Sequence, residues 1–285
     1  MLVNMTEMLQ NAHKNHMAIA AINTPGFDIV RAAVDAAEEL QTPIILDHAS
    51  AHDECIPLEV IGPYMVERAK AASIPIAVNL DHGLDMDYCL RAIKCGFSSL
   101  MYDCSMYPYE ENVARVKALC EMVRHLGYSV EAEIGRMPGY ENAGGVDPKD
   151  KSKYYTDPDV AADFAEQTKC DALAVCIGTE HGFYEEQPTL NIELLKEIRA
   201  KVRPETSLVM HGSSGAGFEE IRKAISAGIA KVNYYTYMSI QAAPAIAKVI
   251  EKNPTRTYYN DLCNVAYKEL KKGAREAILC MRNGR

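Results

Sequence analysis

Residues 74–83, IPIAVNLDHG, form a short apolar run that ends in three polar side chains. Short apolar, β-branched runs are typical of buried strands in a parallel sheet. The polar residues Asn79, Asp81 and His82 end this run. Because active sites of barrels lie at the carboxyl ends of the strands, the stretch predicts a buried strand with a site at its end.

Runs of the same kind recur along the chain, with amphipathic segments between them. We predict strands at 18–23, 43–47, 76–80, 99–103, 129–133, 172–177, 208–211 and 230–233. We predict helices at 28–40, 56–72, 111–126 and 191–202, and two more after the last strand, at 239–252 and about 260–281. Eight strands that alternate with helices indicate the α/β class and a (β/α)8 TIM barrel, here with extra C-terminal helices.

The domain organisation follows from length and pattern. A chain of 285 residues without a linker is typical of one barrel, so residues 1–285 are predicted to form a single domain. The segment 136–159 is rich in glycine, proline and charge, and it is too long for a plain connection. We expect this segment to be a mobile lid over the active site.

Composition excludes several classes of partner. The net charge of -9 argues against nucleic acid, since binding to phosphate backbones needs clustered Lys and Arg. Nine cysteines without a CxxC pair predict reduced thiols and a cytoplasmic location. No apolar run reaches the length of a membrane span, so no membrane partner is expected.

Histidines stand at three of the predicted strand ends, namely His82, His181 and His211. Three imidazoles that converge from different strands are a typical catalytic zinc site, although each histidine could instead serve local packing. Asp103 and Glu133 end the fourth and fifth strands. These carboxylates could orient the histidines or bind metal, with Asp103 a candidate for a second metal site, or they could be solvated charges.

Small residues cluster at the ends of the sixth to eighth strands. Gly182, Gly212, Ser214 and Thr236 offer backbone N–H groups and hydroxyls where barrels commonly bind phosphate. Glycine is also needed for ordinary turns at these places, so the pattern alone leaves both interpretations open.

Taken together, the motifs resemble those of the class II, metal-dependent fructose-bisphosphate and tagatose-bisphosphate aldolases. The resemblance runs from about residue 5 to 275 through LDHG, VEAEIG, YTDP, IGTEHG, HGSSG and KVN. It implies one zinc ion per subunit, held by His82, His181 and His211, with Glu133 as an alternate ligand. It also implies that Asp81 and Glu141 are the catalytic residues. The residues it implies for substrate and phosphate are Asn23, Gly182, Gly212, Ser214, Asn233, Thr236 and, from a neighbouring subunit, Arg256.

The function implied by the resemblance is cleavage of a ketose phosphate or bisphosphate to dihydroxyacetone phosphate and an aldehyde. A Lewis-acid metal stabilises the enediolate, Asp81 accepts the hydroxyl proton, and Glu141 moves the proton at the ketone-side carbon. A homodimer or homotetramer is implied, and a monovalent cation beside the zinc is compatible with it.

Several residues differ from the common pattern of the family, mostly around the substrate. They are Asn79, Met106, Glu185 and Tyr235, together with His48, His52 and Asp53 at the end of the second strand. The last three could contact an unusual substrate, but a role in holding a loop is favoured. These differences weaken the case for fructose 1,6-bisphosphate, and a phosphorylated deoxy sugar acid is an alternative substrate.

Two other functions are compatible with the same barrel. A non-catalytic subunit that supports a partner would be favoured by loss of a metal ligand, and none is lost. A zinc hydrolase would activate water instead of a carbonyl group, and would not need the phosphate-side glycines and Thr236.

Overall fold

The computed structural model describes residues 1–135, 154–182 and 187–285. The strands are β1 (Ile19–Asn23), β2 (Ile44–Ala49), β3 (Ile76–Gly83), β4 (Ser99–Tyr102), β5 (Ser129–Glu133), β6 (Ala172–Ala174), β7 (Ser207–Met210) and β8 (Ile229–Tyr234). The helices are α1 (Thr6–Lys14), α2 (Phe27–Glu39), α3 (Leu58–Ala71), α4 (Met86–Lys94), α5 (Tyr109–Val123), α6 (Pro158–Thr168), α7 (Ile192–Lys201), α8 (Phe218–Ser226), α9 (Thr236–Lys252) and α10 (Tyr259–Met281).

The strands pair in parallel in the order β1 to β8, and β8 pairs with β1, so the sheet closes into a barrel. Helices connect the strands, and α10 packs outside the barrel against α2 and α9. The predicted (β/α)8 barrel with extra C-terminal helices is therefore confirmed.

Alternate residues of each strand face opposite sides, and the two sides have different chemistry. Apolar residues that face outward join the helices in one large core. Inside the barrel, a smaller apolar cluster fills the amino-terminal end, where Met5 and Leu9, at the start of α1 and within it, pack against Ile19, Ala21 and Ile45. Since α1 closes that end, the charged side chains of the interior lie further towards the carboxyl ends of the strands.

Two strand boundaries differ from the sequence prediction by three residues. β3 extends to Gly83, three residues beyond the predicted end, because Gly83 pairs with Tyr102 after an irregularity in the register. β6 ends at Ala174, although the buried run continues to Ile177. The apolar run predicted the buried segment correctly, but the strand hydrogen-bonded to its neighbours is shorter than the buried segment.

Most of the expected lid, residues 136–153, lies outside the described residues. The end of the predicted segment is part of the barrel: Thr156 is buried, and its backbone N–H donates to the Cys176 carbonyl at 2.9 Å. Two residues later α6 begins at Pro158, with Asp157 capping its first turn. The last residues of the predicted segment therefore pack with the barrel, and the lid itself stays a prediction.

Within the described residues, no helix has the length and apolar character needed to span a membrane.

Candidate metal centre and active site

Three histidines from three strand ends meet at the carboxyl end of the barrel. His82 is at the end of β3, His181 follows β6, and His211 comes directly after β7. One ring nitrogen of each lies within 4.8 Å of the others. The closest pair is His82 Nε2 and His211 Nδ1, which are 2.9 Å apart. The prediction that these residues converge is borne out by this geometry.

A buried carboxylate holds the other ring nitrogen of two of these histidines. His82 Nδ1 lies 2.8 Å from Asp103 Oδ2, and His211 Nε2 lies 2.7 Å from Glu131 Oε1. A carboxylate behind an imidazole fixes the proton on that nitrogen, so the opposite nitrogen offers its lone pair to a metal. Asp103 thus makes the orienting contact that the sequence suggested. Glu131 makes a similar contact with His211, which the sequence analysis did not predict.

Glu133 supplies an independent test of whether a cation fits here. Its carboxylate is buried, neither oxygen has a hydrogen-bond partner among the described residues, and Oε2 lies 3.9 Å from His211 Nδ1. Burial and the neighbouring Asp103 raise the pKa of Glu133 well above its usual value. A buried carboxylate without donors is stabilised by a cation. Glu133 also forms a second candidate ligand group with His82 and Asp103, and this group shares His82 with the three-histidine group.

His181 completes the three-histidine group. Burial, and then the nearby His82 and His211, lower the pKa of His181 to about 3. The neutral imidazole that results is the form that binds metals. Three imidazole nitrogens with a carboxylate close by fit Zn²⁺, which prefers imidazole ligands and leaves a position for substrate at catalytic sites.

The backbone at His82 has a conformation that a non-glycine residue rarely adopts. Its φ is 47°, in the left-handed region. The hydroxyl of Ser50, just after β2, donates to the His82 carbonyl at 2.6 Å and helps to hold this conformation. Such strain is typical of functional positions, and here it accompanies an imidazole that faces the barrel axis.

Gly212 allows the strand ends to approach closely. Its φ is 62°, and a Cβ atom there would lie 2.2 Å from the Glu180 carbonyl oxygen. A side chain at this position would therefore push apart the two segments that carry His181 and His211.

Asp81 is held beside the histidines by two amides. Asn23 Nδ2 donates to Asp81 Oδ2 at 2.8 Å, and Asn233 Nδ2 donates to Oδ1 at 3.1 Å. Burial opposes ionisation, but the charges of His82, His211 and Lys231 outweigh it and lower the pKa of Asp81 below its usual value. Asp81 is therefore an ionised carboxylate that can accept a proton.

One cavity of about 70 Å³ joins these groups. Its lining includes the predicted substrate residues Asn23, Gly182, Gly212, Ser214, Asn233 and Thr236, together with Asp81, His82, His181, His52, Ser213, Tyr234 and Tyr235. A larger cavity of about 1070 Å³ surrounds α1 at the opposite end of the barrel, and none of the three histidines lines it.

Arg256 does not line this cavity; it is exposed in the connection between α9 and α10. Glu141 and Glu185 lie outside the described residues. The roles expected for Arg256 and Glu141 stay predictions.

The residues that follow β2 or stand at its end lie in two different environments. His48 is fully buried, its Nε2 lies 3.7 Å from Asp53 Oδ1, and Asp53 accepts from the backbone N–H of Leu58 at 2.8 Å. Asp53 thus holds the loop that leads into α3, as the favoured interpretation had it. His52 instead lines the cavity, with its ring 5.2 Å from that of Tyr235.

The sequence interpretation gave no role to a group of charges beneath the histidines. Lys231 Nζ lies 2.8 Å from Glu131 Oε2 and 3.5 Å from Asp47 Oδ2, and all three side chains are fully buried. One signal could have revealed it. Glu131 and Lys231 each stand two residues before a predicted site residue, Glu133 or Asn233, and a spacing of two places side chains on the same face of a strand.

Comparisons with known proteins agree with this geometry. The family described as "Fructose-bisphosphate aldolase class-II" matches residues 3–283. The D-tagatose-1,6-bisphosphate aldolase subunit GatY of Klebsiella oxytoca is 36% identical over 253 residues, 89% of this chain and 88% of the relative. The sulfofructosephosphate aldolase of Alkalicoccus urumqiensis is 32% identical over 247 residues, 87% of this chain and 85% of the relative.

A solved structure is similar over nearly the whole chain. The crystal structure of the YdjI aldolase from Escherichia coli K12 superposes with a TM-score of 0.85 at 33% sequence identity, covering 99% of this chain and 97% of that one. With the family match over almost the entire length, the chain belongs to the class II fructose-bisphosphate aldolase family.

Proposed function

We propose that this chain is a zinc-dependent aldolase that cleaves a ketose phosphate to dihydroxyacetone phosphate and an aldehyde. The observation that carries the proposal is the position of Asp81. Its Oδ1 lies 3.9 Å from His82 Nε2, and Asp81 lines the same cavity as His82 and His181. A site of this kind combines a base with a place for a Lewis acid, and retro-aldol chemistry without a Schiff base needs both.

The proposed metal ligands are His82, His181 and His211, with Glu133 as an alternate ligand. A bound zinc ion would supply a Lewis acid that draws electron density from the ketone oxygen as negative charge develops there. Asp103 and Glu131 hold two of the imidazoles in place for this purpose. Asp103 also remains a candidate ligand for a second metal.

Asp81 is the proposed base for bond cleavage. It accepts the proton of the hydroxyl group next to the bond that breaks, and the O–H electrons form the aldehyde carbonyl. The electrons of the broken carbon–carbon bond pass to the ketone side of the substrate. Glu141 is the proposed acid that then gives a proton to the ketone-side carbon.

The phosphate on the ketone side would be bound by the segments that carry Gly182, Gly212, Ser214 and Thr236. No Lys or Arg is among the described residues that line the cavity, so backbone N–H groups and hydroxyls must donate most of the hydrogen bonds to the phosphate. α9 begins at Thr236, and the N–H groups at the start of a helix favour anions. A monovalent cation near the phosphate would add positive charge to this region.

The proposed substrate belongs to the class of phosphorylated ketoses, and the proposal names no particular sugar. The two relatives above are named for tagatose bisphosphate and for sulfofructose phosphate, so members of the family differ in the part of the substrate away from the ketone. Here His52 and Tyr235 line the cavity and differ from the common pattern. A phosphorylated deoxy sugar acid is the alternative substrate.

A coupled assay tests the proposal directly. Release of dihydroxyacetone phosphate is measured from a panel of ketose mono- and bisphosphates, before chelation, after chelation, and after zinc is restored. We expect release that chelation abolishes and zinc restores. The matched control is the Asp81→Ala variant, which separates catalysis by this site from a contaminating aldolase.

Other results would point to the rival functions. A protein that holds zinc but releases no product from any ketose phosphate would favour a non-catalytic subunit that supports a partner. Release of inorganic phosphate without dihydroxyacetone phosphate would favour a hydrolase.

We also propose a homodimer or homotetramer in which Arg256 of one subunit binds the second phosphate in the site of its neighbour. Light scattering gives the mass in solution. Mixing Arg256→Ala with Asp81→Ala subunits should restore one intact site in a dimer, and activity of the mixture measures it.

A further inference from the structure

Lys231 is a charged side chain buried inside the barrel, beneath the metal centre. It has no measurable exposure to solvent. Nζ forms an ion pair with Glu131 Oε2 at 2.8 Å and donates to Asn233 Oδ1 at 2.8 Å, and Asp47 Oδ2 lies 3.5 Å away. None of these contacts is part of the chemistry proposed above.

The ammonium group stays protonated in this setting. Burial alone would lower the pKa of Lys231, but the carboxylates of Asp47 and Glu131 outweigh burial and raise it above its usual value. A lysine that keeps its proton cannot attack a carbonyl carbon as a nucleophile. Its chemical contribution is therefore a fixed positive charge with three N–H donors.

One set of contacts leads from Lys231 to the metal centre. Nζ binds Glu131 Oε2, and the other oxygen of the same carboxylate lies 2.7 Å from His211 Nε2. His211 Nδ1 then faces the other histidines, 2.9 Å from His82 Nε2. The position of the ammonium group thus fixes the carboxylate that fixes the imidazole.

A second set of contacts leads from the same nitrogen to the proposed base. Nζ donates to Asn233 Oδ1, and this leaves the Asn233 Nδ2 group to donate to Asp81 Oδ1 at 3.1 Å. Because an amide has one acceptor end and one donor end, a donor at Oδ1 determines which end meets Asp81.

We propose that Lys231 is a positioning residue that fixes both a metal ligand, His211, and the proposed base, Asp81, from one buried ammonium group. The part that concerns Asp81 rests on the proposed aldolase function, whereas the part that concerns His211 needs only a metal at the histidines. A purely structural role, in which Lys231 merely neutralises Asp47 and Glu131, predicts no effect on either neighbour beyond loss of stability.

The experiment removes the ammonium group without changing the net buried charge. The double variant Lys231→Met, Asp47→Asn loses one positive and one negative charge, and Asp47→Asn alone is the matched control, because Asp47 lies on neither set of contacts. Zinc affinity is measured by competition with a chromophoric chelator. The cobalt(II) form gives a visible spectrum that reports the ligand geometry.

We expect the double variant to bind zinc at least about tenfold more weakly than the control, as is usual when the partner of a metal-binding histidine is lost. We expect a changed cobalt spectrum as well. At saturating zinc, kcat should still be about tenfold lower or more with little change in KM, because Asp81 is no longer oriented. Zinc affinity and a cobalt spectrum equal to those of the control would overturn the proposal.

A second variant decides the matter if the double variant does not fold. Glu131→Gln interrupts only the contacts that lead to the metal, so it should weaken zinc binding about tenfold yet recover kcat at saturating zinc. Unchanged zinc affinity in Glu131→Gln would overturn the proposal. Failure of the wild-type protein to release dihydroxyacetone phosphate would instead count against the proposed function, and the zinc and cobalt measurements would still test Lys231.

Discussion

Two groups of histidines lie at neighbouring strand ends of this barrel, and they differ in what stands behind each ring. In the metal centre, His82 and His211 each have a carboxylate oxygen within 2.8 Å of one nitrogen. At the end of β2, the nearest carboxylate to His48 is 3.7 Å away and the ring makes no hydrogen bond with the described residues. Burial is similar for His48, His82 and His211. Convergence and a carboxylate partner, not burial, therefore distinguish the proposed metal ligands from a packing histidine.

The largest expected effect follows from removing a histidine of the metal centre. His211→Ala should lose zinc and reduce kcat/KM by about 1,000-fold or more, since the site would keep too few ligands. His48→Gln, the control from the other group, should retain zinc. Elemental analysis after dialysis measures the metal. Equal zinc content in both variants would remove the distinction between the two groups.

The next effect concerns the base beside the metal centre. Asp81→Ala should retain zinc and reduce kcat by about 100-fold to 10,000-fold, the usual range for loss of a general base. Zinc content and turnover are measured on the same preparation. Turnover close to that of the wild type would show that Asp81 has been given the wrong role.

A smaller effect tests the carboxylates behind the rings. Asp103→Asn should weaken zinc binding about 10-fold to 100-fold, because a neutral amide holds His82 less firmly. Asp53→Asn, which changes the carboxylate near His48, should leave zinc affinity unchanged. Chelator competition on the pair of variants gives both values, and similar losses in the two would contradict the comparison.

His52 lines the cavity although it belongs to the group at the end of β2. His52→Ala should retain zinc and change the ratio of kcat/KM between two ketose phosphates by about tenfold, since it alters contacts with one part of the substrate. The substrate panel measures this ratio. A uniform change for all sugars would assign His52 to the structure of the loop.

The smallest effect is on stability and depends on pH. Burial lowers the pKa of His48 to about 4, with His52 adding to the shift and Asp53 and Asp81 opposing it. The unfolded chain therefore binds a proton below about pH 6.5 that the folded protein excludes, so stability should fall as the pH falls from about 6.5 to 4. The loss due to His48 is up to about 3 kcal/mol. Urea denaturation of the wild type and of His48→Gln at several pH values isolates the contribution of His48 to the free energy of unfolding. If this free energy falls equally with pH in both proteins, the prediction is wrong.

Much of this arrangement was accessible from the sequence. Apolar runs located all eight strands because burial on both faces leaves a strong signal, and polar residues at the ends of these runs located His82, His211 and Asp81. The third histidine, His181, could be placed only by the length of the run that ends near Ile177, because β6 itself stops at Ala174.

Other parts could not be predicted because they arise only when the barrel closes. The contact between Lys231 and Glu131 joins residues 100 positions apart in the chain, on strands β8 and β5 that are not neighbours in the sheet. The left-handed backbone at His82 depends on Ser50, which follows a different strand. Local pattern shows that such residues face inward, but it does not show which of them meet across the axis.

The closure of the amino-terminal end by α1 gives the barrel interior a gradient of polarity along its axis. Met5 and Leu9 pack one end with apolar side chains, whereas charges begin in the layer of Asp47, Glu131 and Lys231. Electric fields act over longer distances in such a medium than in water, so the charges in this layer are coupled to the reacting groups above them without touching substrate. If the proposed function holds, substitutions in the loops at the open end can change the sugar that binds, while buried charges below the cavity set the electric field at the proposed base and metal ligands.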